Sequence, residues 1–82
     1  MKISTETREE SIIRSEKEGE IRKLIDKLPD EQRQVLVLRH YGELSFKEIA
    51  ELTDVSINTA LGRMRYALNN LRKLMEHSHI RA

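Results

Sequence analysis

The chain has 82 residues, which allows one small domain and leaves no room for a two-domain enzyme. It contains no cysteine, so a disulfide framework and a cysteine-based zinc site are both excluded. Hydrophobic residues make up 38% and charged residues 35% of a chain with one proline and three glycines, a balance that favours a compact helical domain.

The first predicted helix covers residues 16–28 and follows a polar segment, residues 1–15, which we interpret as a flexible N-terminal segment or linker. Four apolar side chains recur at helical spacing on one face of this helix: Ile21, Leu24, Ile25 and Leu28. Pro29 is expected to end the helix, because the residue before a proline is pushed out of the α region.

Residues 30–41 are the second predicted helix. Asp30 is expected to cap its N-terminus, because a side-chain oxygen can accept a hydrogen bond from a free backbone amide. The apolar face of this helix consists of Val35, Leu36, Val37 and Leu38. Gly42 is expected to end the helix in the left-handed conformation, which glycine adopts without steric cost.

The third predicted helix is short and covers residues 46–53. Ser45 and Glu48 have the spacing of a capping box, in which each side chain bonds to the backbone amide of the other. The inward-facing residues are Phe46, Ile49, Ala50 and Leu52. In the tight turn that follows, Asp54 is expected to be left-handed, and Ser56 is expected to cap a fourth helix to about residue 76.

The fourth helix divides into an apolar and a polar face when its residues are placed at about 100° intervals. The predicted buried face consists of Ile57, Ala60, Leu61, Met64, Ala67, Leu68, Leu71, Leu74 and Met75. The outward face consists of Asn58, Thr59, Gly62, Arg65, Tyr66, Asn69, Arg72 and Lys73, with Arg63 and Asn70 near one edge. This outward set contains no acid. Residues 55–82 hold five basic side chains and one acidic side chain. Residues 1–54 hold ten basic and thirteen acidic side chains, so the excess of positive charge lies in the last third of the chain.

The third helix, the turn and the fourth helix have the arrangement of a helix-turn-helix. We therefore predict that residues 16–77 form an all-α, four-helix helix-turn-helix domain that has no β-hairpin wing. Residues 78–82 are predicted to be a C-terminal tail. In this motif the N-terminal residues of the second helix enter the major groove, where polar side chains bond base edges and phosphates. The candidate DNA-binding residues are Ser56, Asn58, Thr59, Gly62, Arg63, Arg65 and Tyr66.

Three segments resemble a known family. Residues 28–39 resemble the LPxxxRxxxxLR opening of region 4 of bacterial sigma factors, and residues 44–51 resemble its LSxxEIAE segment. Thr59, Arg63 and Ala67 match the Thr, Arg and Ala of its recognition helix. The resemblance covers about residues 16–77 and is closest to the extracytoplasmic-function group.

The chain also departs from the family pattern. Asp54 replaces a common glycine, and Ser56 replaces a frequent proline. Leu61, Tyr66 and Leu68 stand where many members carry basic residues. The preferred promoter sequence therefore does not follow from the resemblance.

The resemblance implies that the last helix binds the −35 element of double-stranded promoter DNA and that the earlier helices bind the β flap of the RNA polymerase core. The candidate polymerase contacts are Leu24, Leu28, Val35, Leu38 and Tyr41. Each can instead be a core residue, and the core is the favoured interpretation for the leucines. An anti-sigma factor is a further partner that the family implies. Nothing in the chain resembles region 2, the family's other conserved domain, so it is either an isolated domain or a stand-alone region 4 protein.

Two other functions remain open from the sequence. A regulator of the LuxR type shares the EIA segment and would bind a palindromic site as an obligate dimer, whereas we expect a monomer here. A sigma or anti-sigma interaction module would not bind DNA at all.

An enzyme and a cofactor are not expected. His40, His77 and His79 lack metal-ligand or catalytic spacing, and there is no glycine-rich phosphate loop. The chain shows no signal peptide and no apolar run of membrane length, so we expect a cytoplasmic protein without membrane association.

Overall fold

The computed structural model describes residues 18–78, which form four helices and no strand. Helix α1 is described over residues 18–25, and it is followed by α2 (Asp30–His40), α3 (Phe46–Thr53) and α4 (Ile57–His77). The predicted all-α helix-turn-helix domain is confirmed. The segment predicted to be flexible, residues 1–15, and residues 79–82 of the predicted tail lie outside the described residues.

The junction between α1 and α2 differs from the prediction at both helix ends. The first helix ends at residue 25 rather than 28, and residues 26–28 form a turn. Pro29, not Asp30, is the N-cap of α2, and no side chain caps this end. Because Asp30 already lies in the first helical turn, its carboxylate accepts a hydrogen bond from Arg33 at 2.6 Å instead. The same guanidinium reaches the Asp26 carbonyl at 3.4 Å, so Arg33 ties the turn to the helix.

The end of α2 also corrects a prediction. Gly42 does not adopt the left-handed conformation; the residue that does is Glu43, with a φ of 56°. Glycine is required at 42 for a different reason, because a Cβ there would lie 2.7 Å from the carbonyl oxygen of Leu38. Position 42 therefore needs the absence of a side chain rather than a positive φ.

The predicted helix caps around the turn are confirmed. The Ser45 amide donates to a Glu48 carboxylate oxygen at 3.0 Å, and the Glu48 amide donates to the Ser45 hydroxyl at 3.1 Å. These bonds lower the pKa of Glu48 below its ordinary value of 4.5, with the backbone bond as the largest cause. Asp54 is left-handed (φ 56°, ψ 49°), and the Val55 amide donates to the Ala50 carbonyl at 3.0 Å, which closes α3 in a Schellman motif.

The core consists of two clusters that α4 joins. One contains Ile25, Leu28, Leu36 and Ala67, and the other contains Val35, Ile49, Ala50 and Ala60. The neighbouring residues Val35 and Leu36 of α2 serve different clusters, and Met64 of α4 packs against both. Burying a side chain the size of Val or Leu contributes about 1.5–3 kcal/mol, so these contacts fix α4 against α2 and α3.

Several residues predicted to face inward are exposed. Leu52 is 67% exposed, because α3 uses only part of its apolar face to contact its neighbours. On α4, Ile57, Leu61 and Leu68 are 47%, 40% and 49% exposed. At about 100° per residue they lie about 60–120° around the helix from the fully buried Ala60 and Ala67, at the margin of the predicted arc.

No helix within residues 18–78 combines the length and apolarity needed to cross a membrane.

Candidate nucleic-acid interface

The start of α4 is held in place by its cap and by small residues beneath it. The Ser56 hydroxyl accepts a hydrogen bond from the Thr59 amide at 3.1 Å and donates to the Thr59 hydroxyl at 3.0 Å. Ala60 is fully buried against α3 residues that include Ala50, so the two helices approach closely. The cap and the close contact fix the direction in which the first turns of α4 project.

The exposed face of α4 is polar and, over residues 58–73, free of acids, as predicted; Glu76, near the C-terminal end of the helix, is also exposed. Asn58, Thr59, Arg65 and Tyr66 are exposed, with Tyr66 at 64%. Gly62 is partly exposed, and a Cβ built on it would meet nothing within 4 Å. Hydroxyl, amide, phenol and guanidinium groups are therefore presented together on one side of a rigid helix.

Arg63 lies at the edge of this face rather than on it. Its side chain is 22% exposed, and its guanidinium lies 3.6 Å from a carboxylate oxygen of Glu31 on α2. Two turns further along, the side-chain amide nitrogen of Asn70 donates a hydrogen bond to the side-chain oxygen of Gln32 at 2.7 Å. Two consecutive residues of α2 thus contact one edge of α4, an arrangement that the sequence analysis did not find.

The other edge of α4 is apolar and was also missed. Ile57, Leu61 and Leu68 lie within about 40° of one another around the helix. Leu61 is close to the start of the helix, where it adjoins the exposed polar face. The signal for this edge was present in the sequence, since these residues occupied the margin of the buried arc.

Possible metal ligands do not gather anywhere in this part of the chain. Among residues 18–78, no group of three or more His, Asp or Glu side chains could hold a metal ion.

The sequence matches the model of a family described as "Sigma-70, region 4" over residues 18–75. The chain belongs to the sigma-70 region 4 family. The match begins in α1 and ends in α4, so it includes α3, the turn and all but the last two residues of α4.

Curated relatives of this region 4 chain are named as RNA polymerase sigma factors. It is 38% identical over 76 residues to RNA polymerase sigma factor YlaC of Bacillus subtilis (strain 168), covering 88% of the chain and 44% of the relative. It is 32% identical over 69 residues to ECF RNA polymerase sigma factor SigK of Mycobacterium ulcerans (strain Agy99), covering 84% and 37%. For ECF RNA polymerase sigma factor SigW of Bacillus subtilis (strain 168), the identity is 35% over 65 residues, covering 79% and 35%. The chain therefore spans less than half the length of these relatives.

The residues predicted to face polymerase differ in accessibility. Leu24, Leu28 and Val35 are buried, and Leu38 is partly buried against the second core cluster. Tyr41 is 42% exposed, with the Arg22 guanidinium 4.9 Å from its ring centre. It lines a groove between α1, α2 and the second half of α4, together with Ile21, Ile25, Leu36, His40, Leu68, Leu71 and Met75.

Proposed function

We propose that this region 4 domain binds double-stranded promoter DNA at the −35 element through the first half of α4. The observation that carries the proposal is the acid-free polar face of the first half of α4, residues 58–66, held by a capped and closely packed helix-turn-helix. The activity is binding rather than catalysis. We further propose that it serves transcription initiation by bacterial RNA polymerase in the cytoplasm, in keeping with the names of the relatives.

The position of each exposed residue along α4 would determine which part of the duplex it contacts. Asn58 and Thr59, in the first turn of α4, are the candidates for base-edge contacts in the major groove. Gly62 would let the helix approach the duplex closely. Arg65 and Tyr66 would bond phosphates or base edges, and Ser56 would hold the helix start near the backbone of the duplex.

The charge distribution supports a polyanionic partner. Arg63 and Arg65 project from the half of α4 that would enter the groove, while Arg72 and Lys73 follow about two turns later. A single module of this size gains much of its affinity from phosphate contacts, so its binding is expected to be weak and to fall with salt. In a complete sigma factor, attachment to polymerase would raise the effective concentration at the promoter.

The proposed polymerase side is the groove that contains Tyr41. An apolar segment of the β flap would find Ile21, Leu68 and Met75 accessible there, whereas Leu24, Leu28 and Val35 are buried and do not line the groove. An anti-sigma factor would compete for the same groove. We propose that the domain acts as a monomer in these complexes.

An amide-resolved NMR titration of the chain with short duplexes that carry candidate −35 elements tests the proposal. Shifts concentrated in Ser56–Tyr66 that weaken with salt are the expected result. Arg65→Gln should weaken binding, and Arg72→Gln, which removes the same charge about 10 Å further along α4, should have a much smaller effect. A folded chain that shows no shifts with any duplex at low salt would overturn the proposal.

A further inference from the structure

Glu31 and Arg63 form an ion pair between α2 and the edge of the proposed DNA-binding helix. The guanidinium and the carboxylate lie 3.6 Å apart, and the two side chains differ in solvent exposure: Arg63 is 22% exposed and Glu31 is 71% exposed. The arginine is therefore held by its surroundings, while the carboxylate reaches it from solvent. No other salt bridge described for residues 18–78 involves α4.

The place of this pair bears on DNA binding. Arg63 follows Thr59 by one helical turn, so it lies along the margin of the polar face of α4, where phosphates of one strand would pass. Phosphate and carboxylate are both anions that a guanidinium attracts, so either can be the partner of Arg63. Both anions would need the accessible side of Arg63, which the low exposure of this side chain restricts.

We infer that Glu31 is an intramolecular competitor of DNA phosphate for Arg63. Its carboxylate forms an ion pair with the guanidinium in the free domain, and a phosphate must displace it when a duplex binds. This inference rests on the proposed DNA binding by α4. Because phosphate contacts carry no sequence information, Glu31 lowers the affinity for every duplex to a similar degree. It is thus a residue that tunes binding through another residue rather than one that contacts a base.

The fold does not depend on this pair. The Gln32–Asn70 hydrogen bond joins the same helices at the same edge, and the two core clusters hold α4 from beneath. An exposed carboxylate in an ion pair of this kind adds little to stability, because solvent screens it. Glu31→Gln keeps the size of the side chain and removes its charge, so the variant should fold as the original does.

The experiment measures binding of the full chain to a fluorescently labelled duplex of mixed sequence, and to the best −35 duplex, over a range of salt concentrations. Glu31→Gln should bind both duplexes about two- to five-fold more tightly at low salt. Its affinity should fall more steeply with salt, by up to about 0.9 in the logarithmic slope, as for one additional neutralised phosphate. Glu76→Gln, which removes the same charge from the far end of α4, controls for net charge.

A double-mutant cycle tests whether Glu31 acts through Arg63. In an Arg63→Gln background, Glu31→Gln should change affinity no more than Glu76→Gln does. An equal gain with and without Arg63 would overturn the inference in favour of general electrostatics, and so would weaker binding by Glu31→Gln. An original chain that binds neither duplex overturns both the inference and the proposed function. Gain on the mixed duplex without any preference for a −35 duplex overturns the promoter-reading function alone.

Discussion

The carbonyl oxygen of Leu38 lies 2.7 Å from the position that a Cβ would take on Gly42. This oxygen accepts a hydrogen bond from the Leu44 amide at 3.2 Å, and the Leu44 carbonyl accepts one from Arg39 at 2.9 Å. The Arg39 guanidinium in turn lies 5.1 Å from the ring centre of Phe46, at the start of α3. The close approach at position 42 therefore belongs to the network that orients the helix-turn-helix relative to α2.

Gly42→Ala should destabilise the domain by about 1–3 kcal/mol, because the Cβ meets backbone that cannot shift without disturbing these bonds. For a domain of this size, each 1 kcal/mol lowers Tm by roughly 4–8 °C. Thermal unfolding followed by circular dichroism measures the change. An alanine variant as stable as the original would mean that the loop adjusts freely and that the network does not fix α3.

Gly62→Ala is expected to change stability in the opposite direction. This glycine lies within α4 in open space, and alanine is better than glycine inside a helix by about 1 kcal/mol. If the helix approaches DNA closely at this point, the same variant should bind the best −35 duplex more weakly. Unfolding and binding measured on one preparation separate the two effects. Higher stability with unchanged affinity would show that the duplex does not pass close to Gly62.

The local chemistry of the sequence predicted the helix starts around the turn, because their partners lie within three residues. Ser45, Glu48 and Ser56 needed only spacing, and Asp54 needed only its tolerance of a left-handed backbone. The end of α2 was predicted less well. Gly42 and Glu43 are adjacent, and the steric contact that decides between them comes from the folded path of the loop.

Tertiary contacts explain the other differences. The helical wheel placed Ala60 and Ala67 within the buried face, but the depth of burial across that face depends on what packs there. Leu61 is exposed because the neighbouring helices cover that edge of α4 less fully than they cover Ala60 and Ala67. The Glu31–Arg63 pair joins residues 32 positions apart, and no periodicity in the sequence connects them.

The exposed edge of α4 yields a prediction about base recognition. Leu61 is 40% exposed beside the polar face, and apolar side chains in the major groove contact the methyl group of thymine. In the best −35 duplex, each thymine is replaced in turn by deoxyuridine, which lacks the methyl group. At the thymine that contacts Leu61, the replacement should weaken binding about two- to four-fold, because burying one carbon group contributes about 0.8 kcal/mol. The affinity of Leu61→Ala should not respond to this replacement.

Leu68→Ala is the matched control for that experiment. Leu68 has similar exposure on the same edge, about two turns further from the start of α4. Its variant should remain as sensitive to the thymine methyl as the original chain. If Leu61→Ala keeps the full response at every thymine, this edge of α4 does not read the methyl group.

The capping box of α3 gives the domain a dependence on acid pH. The two bonds to Ser45 lower the pKa of Glu48 from 4.5, so the folded state holds this proton less tightly than the unfolded state. The contribution of the charged carboxylate is therefore present at neutral pH and is lost as the pH falls from about 4.5 through the lower folded value. Glu48→Gln can still accept a bond from the Ser45 amide but cannot titrate. The difference in Tm between the original chain and this variant should be constant near neutrality and shrink in acid. Glu51→Gln, on the same helix, controls for charge, and parallel Tm curves for the original chain and Glu48→Gln down to low pH would contradict a stabilising role for the ionised Glu48.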